Sequence, residues 1–183
     1  FASDGNITYD LLIDHINGEL ANVLGNLVQR SISMGNKYFD GVVRGTDAIE
    51  DIDLELERKL KSLENIVEEK MDALQISDAI TEIFNVLRFT NKYIDETAPW
   101  VLAKDDSKKD RLQNVIYHLL ESIRVCSLYL EPFMPSTSEE IRKQLNISDT
   151  SIIYNNCNEY HLNTPSVLFQ RIDRDKFFAE NVK

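Results

Sequence analysis

The sequence predicts an all-α fold, an antiparallel bundle of about five helices followed by an irregular C-terminal tail. Only 6 Gly and 4 Pro occur in 183 residues, a composition that favours long helices over a turn-rich β-sandwich. Apolar residues recur every three or four positions over long stretches, which is the period of an amphipathic helix. In one stretch the spacings are 4, 3, 4, 3 and 4, as in the packing seam of a bundle: Leu112, Ile116, Leu119, Ile123, Cys126, Leu130.

The first predicted helix covers residues 8–34, where Leu20, Leu24 and Leu27 recur at helical spacing. We expect this helix to bend near Gly18. We expect it to end at Gly35, because glycine readily adopts the left-handed conformation found after helix C-termini.

The second helix is predicted over residues 49–74, with an apolar inward side and an acidic outward side that we expect to be solvated. The third covers 77–96, where Ser77 is a candidate cap and Asn91 falls on the apolar seam. A polar side chain there is expected to be hydrogen-bonded within the protein. The remaining predicted elements are helices over 106–130 and 136–145, then a tail over 146–183 with extended segments at 152–154 and 167–169.

The chain is acidic, with 20 Lys and Arg residues against 31 Asp and Glu residues and a net charge of −11. Taken alone, this value argues against a nucleic-acid partner, because phosphate groups attract basic surfaces. The charge is uneven, however: residues 47–72 carry −6, whereas residues 88–111 carry +1. A polyanionic partner therefore has to avoid only one region, and we expect its binding to depend weakly on salt.

Several classes of function are disfavoured by what the sequence lacks. No apolar run has the roughly 20 residues that a membrane span needs. The two cysteines, Cys126 and Cys157, are too few for a disulfide scaffold and suit a cytoplasmic location, and Cys126 is most simply a core residue. The three histidines are scattered, and no phosphate-binding loop or nucleophile motif occurs, so we predict no catalytic site, metal or cofactor in this chain.

One group of residues stands out on the first helix, where Asn22, Asn26 and Arg30 are spaced at i, i+4 and i+8. In an α-helix this spacing places them in one row, opposite the apolar side. Asn is a weak helix former, so two of them are a poor choice for a purely solvated face. Amides and guanidinium groups match the hydrogen-bonding edges of nucleic-acid bases, although bonds to neighbouring helices would explain the two Asn residues equally well.

A second group lies at the end of the third helix, where Pro99 and the single tryptophan, Trp100, follow each other. The tryptophan could simply close the end of the bundle. It could also offer a stacking surface for an unpaired base, as in proteins that bind single-stranded RNA.

At these residues the sequence resembles the anticodon-binding domain of methionyl-tRNA synthetase, a class I aminoacyl-tRNA synthetase. The resemblance covers about residues 1–145, which we treat as one helical domain, and the tail 146–183 as a second unit. The two segments that carry it are Leu20-Ala-Asn22-Val-Leu-Gly-Asn26-Leu-Val-Gln-Arg30 and Asn91-Lys-Tyr93-Ile-Asp95-Glu-Thr-Ala-Pro99-Trp100.

The resemblance implies a domain that binds the CAU anticodon loop of methionine tRNA, and neither DNA nor a membrane. It implies that five residues contact or flank the anticodon bases: Asn22, Asn26, Arg30, Pro99, Trp100. It assigns a supporting role around the tryptophan turn to three others: Asn91, Tyr93, Asp95.

In the family a catalytic domain that binds ATP and methionine precedes this region. The chain begins with Phe1 rather than Met, so we expect a fragment that is inactive alone and holds no cofactor. The tail is expected to pack toward that catalytic domain, although Gln170 stands where the family often has proline in a Leu-Phe-Pro-Arg-Ile segment. Two alternatives stay open from the residues alone: an anticodon-binding domain of a leucine, valine or cysteine enzyme, or a helical protein–protein adaptor.

Overall fold

The fold is an α-helical bundle with a two-stranded sheet at one side, as the helical periodicity predicts. The computed structural model describes residues 7–148 and 150–181. Phe1, on which the expectation of a fragment rests, lies outside the described residues. The elements are α1 (Tyr9–His15), a π-helical segment (Ile16–Gly25), α2 (Asn26–Phe39), β1 (Val42–Arg44), α3 (Asp51–Asp72), α4 (Ile76–Thr97), α5 (Pro99–Leu102), a 3₁₀ turn (Asp106–Lys108), α6 (Lys109–Leu130), α7 (Pro135–Leu145), β2 (Glu159–His161) and α8 (Arg174–Asn181).

The first predicted helix is longer than the sequence pattern indicates. Where a bend was expected near Gly18, the chain passes through the π-helical segment and continues into α2. The prediction that Gly35 ends the helix is wrong, because the left-handed residues that end it are Asp40 and Gly41, with φ of 50° and 81°. Gly35 is instead buried, and a Cβ atom there would collide with Leu162 Cδ1 of the tail, which packs against this glycine.

Helix α6 is the centre of the bundle. It packs against α2, α3, α4 and α7, and almost every side chain along it is buried. The predicted seam is confirmed, since all six of its residues are among the buried core, and burial raises the pKa of the Cys126 thiol well above its usual range. None of the helices in the described ranges is long and apolar enough to cross a membrane.

The tail is more ordered than the irregular segment that was expected. Its strand is β2, which pairs antiparallel with β1 in the register Val42 to His161. The predicted extended segments at 152–154 and 167–169 are not strands. The tail ends in α8, which follows the loop after β2 and lies near the N-terminal helix, where Phe177 is 5.5 Å from Tyr9 between ring centroids.

A buried ion pair on α6 attaches the first part of the tail to the bundle. Arg124 Nη2 lies 2.9 Å from Glu121 Oε2, and both side chains are fully buried. Arg124 also donates to the carbonyl oxygens of Ser151 and Ile153, while Glu121 accepts a hydrogen bond from the Tyr160 hydroxyl. Because both charges are compensated within the protein, this pair can hold the tail without leaving a buried charge unpaired.

A second buried cluster joins α3, α4 and α6 around Asp53. The acidic side of the helix predicted over residues 49–74 was expected to be solvated, and for Asp53 this is wrong, since Asp53 is fully buried. Its carboxylate accepts hydrogen bonds from Arg111 Nη1 and Nη2 at 2.6 and 3.0 Å and from the Tyr93 hydroxyl at 2.6 Å. The amide of Asn114 and the backbone N–H of Glu50 also contact it, at 3.4 and 2.9 Å.

We expect Asp53→Ala to lower the free energy of unfolding by about 3–5 kcal/mol, because it removes the buried carboxylate from Arg111 and leaves that guanidinium only the exposed Glu50, at 3.1 Å, as a counter-charge. Urea unfolding followed by circular dichroism measures this. Glu55→Ala, an exposed carboxylate on the same helix, is the matched control and should change stability by less than about 0.5 kcal/mol. Equal effects of the two substitutions would contradict a structural role for Asp53.

The same pair predicts a pH dependence of stability. Burial alone would raise the pKa of Asp53, but hydrogen bonds from Arg111 and Tyr93 outweigh burial and hold that pKa below the usual carboxyl range. The stabilisation from Asp53 is therefore present above the pKa of the unfolded carboxyl group and is lost as pH falls through the folded pKa. The Asp53→Ala variant should lack this part of the acid dependence.

Candidate nucleic-acid interface

The two groups of residues that the sequence analysis singled out meet at one end of the bundle, at Arg30. The guanidinium carbon of Arg30 lies 6.0 Å from the centre of the Trp100 ring, within the range of a cation–π contact. Arg30 Nη2 lies 3.9 Å from Asp95 Oδ1, in a loose ion pair between two solvent-accessible side chains. Such a pair contributes at most about 1 kcal/mol, so Arg30 can exchange Asp95 for another partner.

The turn between α4 and α5 holds Trp100 in an exposed position. Helix α4 ends when Ala98 adopts a left-handed conformation with φ of 42°, and Pro99 then starts α5 with its side chain buried. Leu102, at the end of α5, and Ala103 just after it pack against the core, so the short helix is anchored. Trp100 is 43% exposed, so it does not close the end of the bundle as a buried ring would.

Asn22 and Asn26 are both exposed, but they do not form the simple α-helical row that their spacing suggested. Asn22 lies in the π-helical segment and Asn26 begins α2, with its backbone N–H donating to the carbonyl of Ala21, five residues earlier. Interruptions of this kind occur frequently at functional sites. No hydrogen bond of the Asn26 side chain is formed within the described residues, which leaves this amide accessible to a ligand.

Asn91 is hydrogen-bonded inside the protein, as its seam position predicted. Its Nδ2 donates to the carbonyl oxygens of Val23 and Leu87, at 3.0 and 3.1 Å. Val23 belongs to the π-helical segment and Leu87 to α4, so this amide ties the helix that carries Asn22 to the helix that leads to Trp100.

Tyr93 lies on the opposite side of α4 from the exposed Asp95 and is fully buried. Its hydroxyl bonds Asp53, and its backbone carbonyl accepts a hydrogen bond from Thr97 Oγ1 at 2.6 Å, in the last turn before Ala98. Tyr93 therefore fixes the end of α4 from the core side, while Asp95 contacts Arg30 directly.

The charge around the interface differs from what the sequence count indicated. The excess positive charge of residues 88–111 includes Arg111, which is buried against Asp53 and is not displayed at the surface. Arg30 has no acidic neighbour in the sequence between Glu19 and Asp40, but the fold brings Asp95 to it. The net charge of residues 88–111 therefore overstates the positive charge that the described part of the chain displays at this end of the bundle.

Sequence reasoning overlooked a contribution of the tail to this interface. Arg171 donates a hydrogen bond to Asn22 Oδ1, and residues 167–169 line a cleft beside Asn26. The resemblance had assigned this segment to a contact with a catalytic domain. No pattern in the sequence relates position 171 to position 22, and only the fold brings them together.

Within the described ranges, no group of three or more His, Cys, Asp or Glu side chains could hold a metal ion. His118 is buried and stacked on Tyr154, and burial lowers its pKa, so it is most simply a neutral core residue.

A family match tests the assignment of the chain to a family. The family model described as the anticodon-binding domain of methionyl tRNA ligase matches residues 43–180. The chain belongs to this family. The match extends beyond residue 145 into the tail, further than the sequence resemblance indicated, and it does not favour a domain from another class I synthetase.

Curated relatives of this anticodon-binding domain extend the similarity to its N-terminal helix. The chain is 43% identical to a methionine–tRNA ligase of Caldanaerobacter subterraneus over 98% of its length and 42% identical to one of Bacillus subtilis over 83%. These alignments cover 29% and 23% of the two relatives, so the chain spans less than a third of their length.

Solved structures agree with this family assignment. The domain superposes on the free form of Mycobacterium tuberculosis methionyl-tRNA synthetase with a TM-score of 0.89 and 30% identity, covering 94% of this chain and 36% of that one. The structure of the same enzyme bound by methionyl-adenylate gives a TM-score of 0.86 over 91% of this chain.

We expect Asn91→Ala to lower the free energy of unfolding by about 1–3 kcal/mol, because the carbonyl of Val23 loses a hydrogen bond at a half-buried position. Asn85→Ala is a matched control, since Asn85 is an exposed asparagine on the same helix. Urea unfolding of both variants checks this, and a loss in Asn85→Ala as large as in Asn91→Ala would contradict it.

Proposed function

We propose that this domain recognises the CAU anticodon of methionine tRNA. The observation that carries the proposal is the position of Arg30, which lies between Asp95 and the exposed ring of Trp100, on the helix that also presents Asn26. This places hydrogen-bonding groups beside a stacking surface, the combination that reads unpaired bases in single-stranded RNA.

The side chains divide into those that contact bases and those that position them. In the proposed complex, Asn22, Asn26 and Arg30 bond the edges of anticodon bases, and Trp100 stacks on one base. Pro99 starts the short helix that presents the ring. Three further residues have supporting roles through the bonds already described: Asn91, Tyr93, Asp95.

The wider role follows from the relatives, which are named methionine–tRNA ligases. We propose that the domain works with a catalytic domain outside these 183 residues, where ATP and methionine bind and methionine is attached to tRNA. On this proposal the chain alone holds no cofactor and does not activate methionine, and the parent enzyme acts in the cytoplasm.

We expect the domain to bind an RNA hairpin with CAU in its loop more tightly than hairpins with a single altered anticodon base. Each altered base should weaken binding by about 1–3 kcal/mol, the usual worth of a well-placed pair of base contacts. Fluorescence anisotropy with labelled hairpins measures this. Equal affinity for all hairpins would contradict the proposal.

Substitutions on α2 test whether its residues distinguish the CAU hairpin from an altered hairpin. Asn26→Ala and Arg30→Ala should each reduce the difference in affinity between the CAU hairpin and an altered one. Lys37→Ala, on the same helix and exposed, is the control and should leave this difference unchanged.

We expect Trp100→Ala to weaken binding of the CAU hairpin by about 1–3 kcal/mol, through the loss of base stacking. Because the ring is exposed, the free energy of unfolding should change by less than about 0.5 kcal/mol. The control is Val101→Ala, the next residue of the same short helix, which is also exposed. Unfolding of the bundle in Trp100→Ala would instead identify the ring as a structural residue.

A further inference from the structure

Residues 167–174, which we term the returning segment, run back along the N-terminal helix beside the proposed anticodon site. The Asn17 side chain bonds the backbone of Ile172 twice, donating to its carbonyl at 2.9 Å and accepting from its N–H at 2.8 Å. Arg174 forms ion pairs with Asp10 and Asp14. The returning segment is therefore attached to the π-helical segment through Ile172 and to α1 through Arg174.

A cleft of about 240 Å³ separates the returning segment from the π-helical segment and α2. One wall carries the amides of Asn22, Asn26 and Gln29, and the other carries Val167, Leu168, Phe169 and Arg171. Gly25 also lines the cleft, and a Cβ atom there would lie 3.5 Å from Phe169 Cδ2, in ordinary van der Waals contact.

Arg171 lies at the edge of this cleft with its charge uncompensated. It is exposed, and its contact is with the neutral carbonyl oxygen of Asn22. No carboxylate lies within ion-pair distance of it in the described part of the chain, whereas Arg88 and Arg142 each pair with one carboxylate and Arg174 pairs with two. A guanidinium has five N–H donors, so the bond to Asn22 orients the group and leaves other donors for a ligand.

We propose that Arg171 binds a backbone phosphate of the anticodon loop, next to a nucleotide that enters the cleft. This inference rests on the proposed function. An oriented guanidinium without a counter-charge suits a phosphate, which it can bind through two parallel hydrogen bonds. The tail thereby contributes affinity, while the bundle contributes discrimination between bases.

The test compares Arg171→Ala with the wild-type chain in binding to the CAU hairpin and to an altered hairpin, over a range of salt concentrations. A lost phosphate contact should weaken both complexes about tenfold and leave their ratio unchanged. The slope of log K against log salt should decrease by about 0.7, the value for one phosphate of a single strand. Arg171→Lys should restore part of the affinity and the slope.

Arg174→Ala is the matched control, since it removes a charge of the same segment that is already paired with carboxylates. Affinity and salt slope should stay within about twofold of wild type in this variant. If Arg174→Ala weakens binding as much as Arg171→Ala, the effect comes from attachment of the tail and the proposal is overturned. Urea unfolding verifies that both variants fold.

A hairpin with a neutral methylphosphonate at one loop position at a time identifies the phosphate. One position should weaken wild-type binding but leave binding by Arg171→Ala unaffected. A loss of base discrimination in Arg171→Ala, or no loss of affinity, would overturn the phosphate contact. Failure of the proposed function is distinguishable, because the wild-type chain would then bind all hairpins equally whatever Arg171 does.

Discussion

The carboxylate of Asp53 is the interaction on which the arrangement of the helices depends. It lies in α3, receives the guanidinium of Arg111 from α6 and the hydroxyl of Tyr93 from α4, and has no contact with water. A charge in the protein interior is tolerated only when such partners surround it, so the three helices can dock in one relative position. Because the Tyr93 carbonyl accepts a hydrogen bond from Thr97, the anchoring of Tyr93 by Asp53 also fixes the end of α4, where the turn to Trp100 begins.

The position of the acidic residues in the fold explains how an acidic protein can offer a surface to RNA. Residues 47–72 carry −6 of the net −11, and α3, which makes up most of this segment, packs with its apolar side against α4 and α6 while its exposed carboxylates face solvent. The groups that we assign to base contacts lie on the π-helical segment, α2 and the α4–α5 turn. The proposed recognition by neutral amides, one ring and two arginines does not need the broad basic surface that an acidic composition lacks.

The periodicity of apolar residues was sufficient to predict the helices and the seam of α6, because burial of a continuous apolar side is a local property of the sequence. Asp53, Glu121 and Arg124 could not be predicted in the same way. In the sequence they look like surface residues, and their burial depends on partners that lie far away along the chain. The Arg171 contact with Asn22 belongs to the same class, and the π-helical geometry at Asn22 leaves no signature in the spacing of residues.

The pairing of β1 with β2 has a consequence for the order in which the chain folds during synthesis. The helices that bear Asn22 and Trp100 are complete long before residues 159–161 leave the ribosome, yet β1 and the polar groups on α6 find their partners only in that late segment. Closing so long a loop is entropically costly and slow compared with helix formation. Until the tail is in place, Arg124 therefore lacks the carbonyl oxygens of Ser151 and Ile153, and Glu121 lacks the Tyr160 hydroxyl.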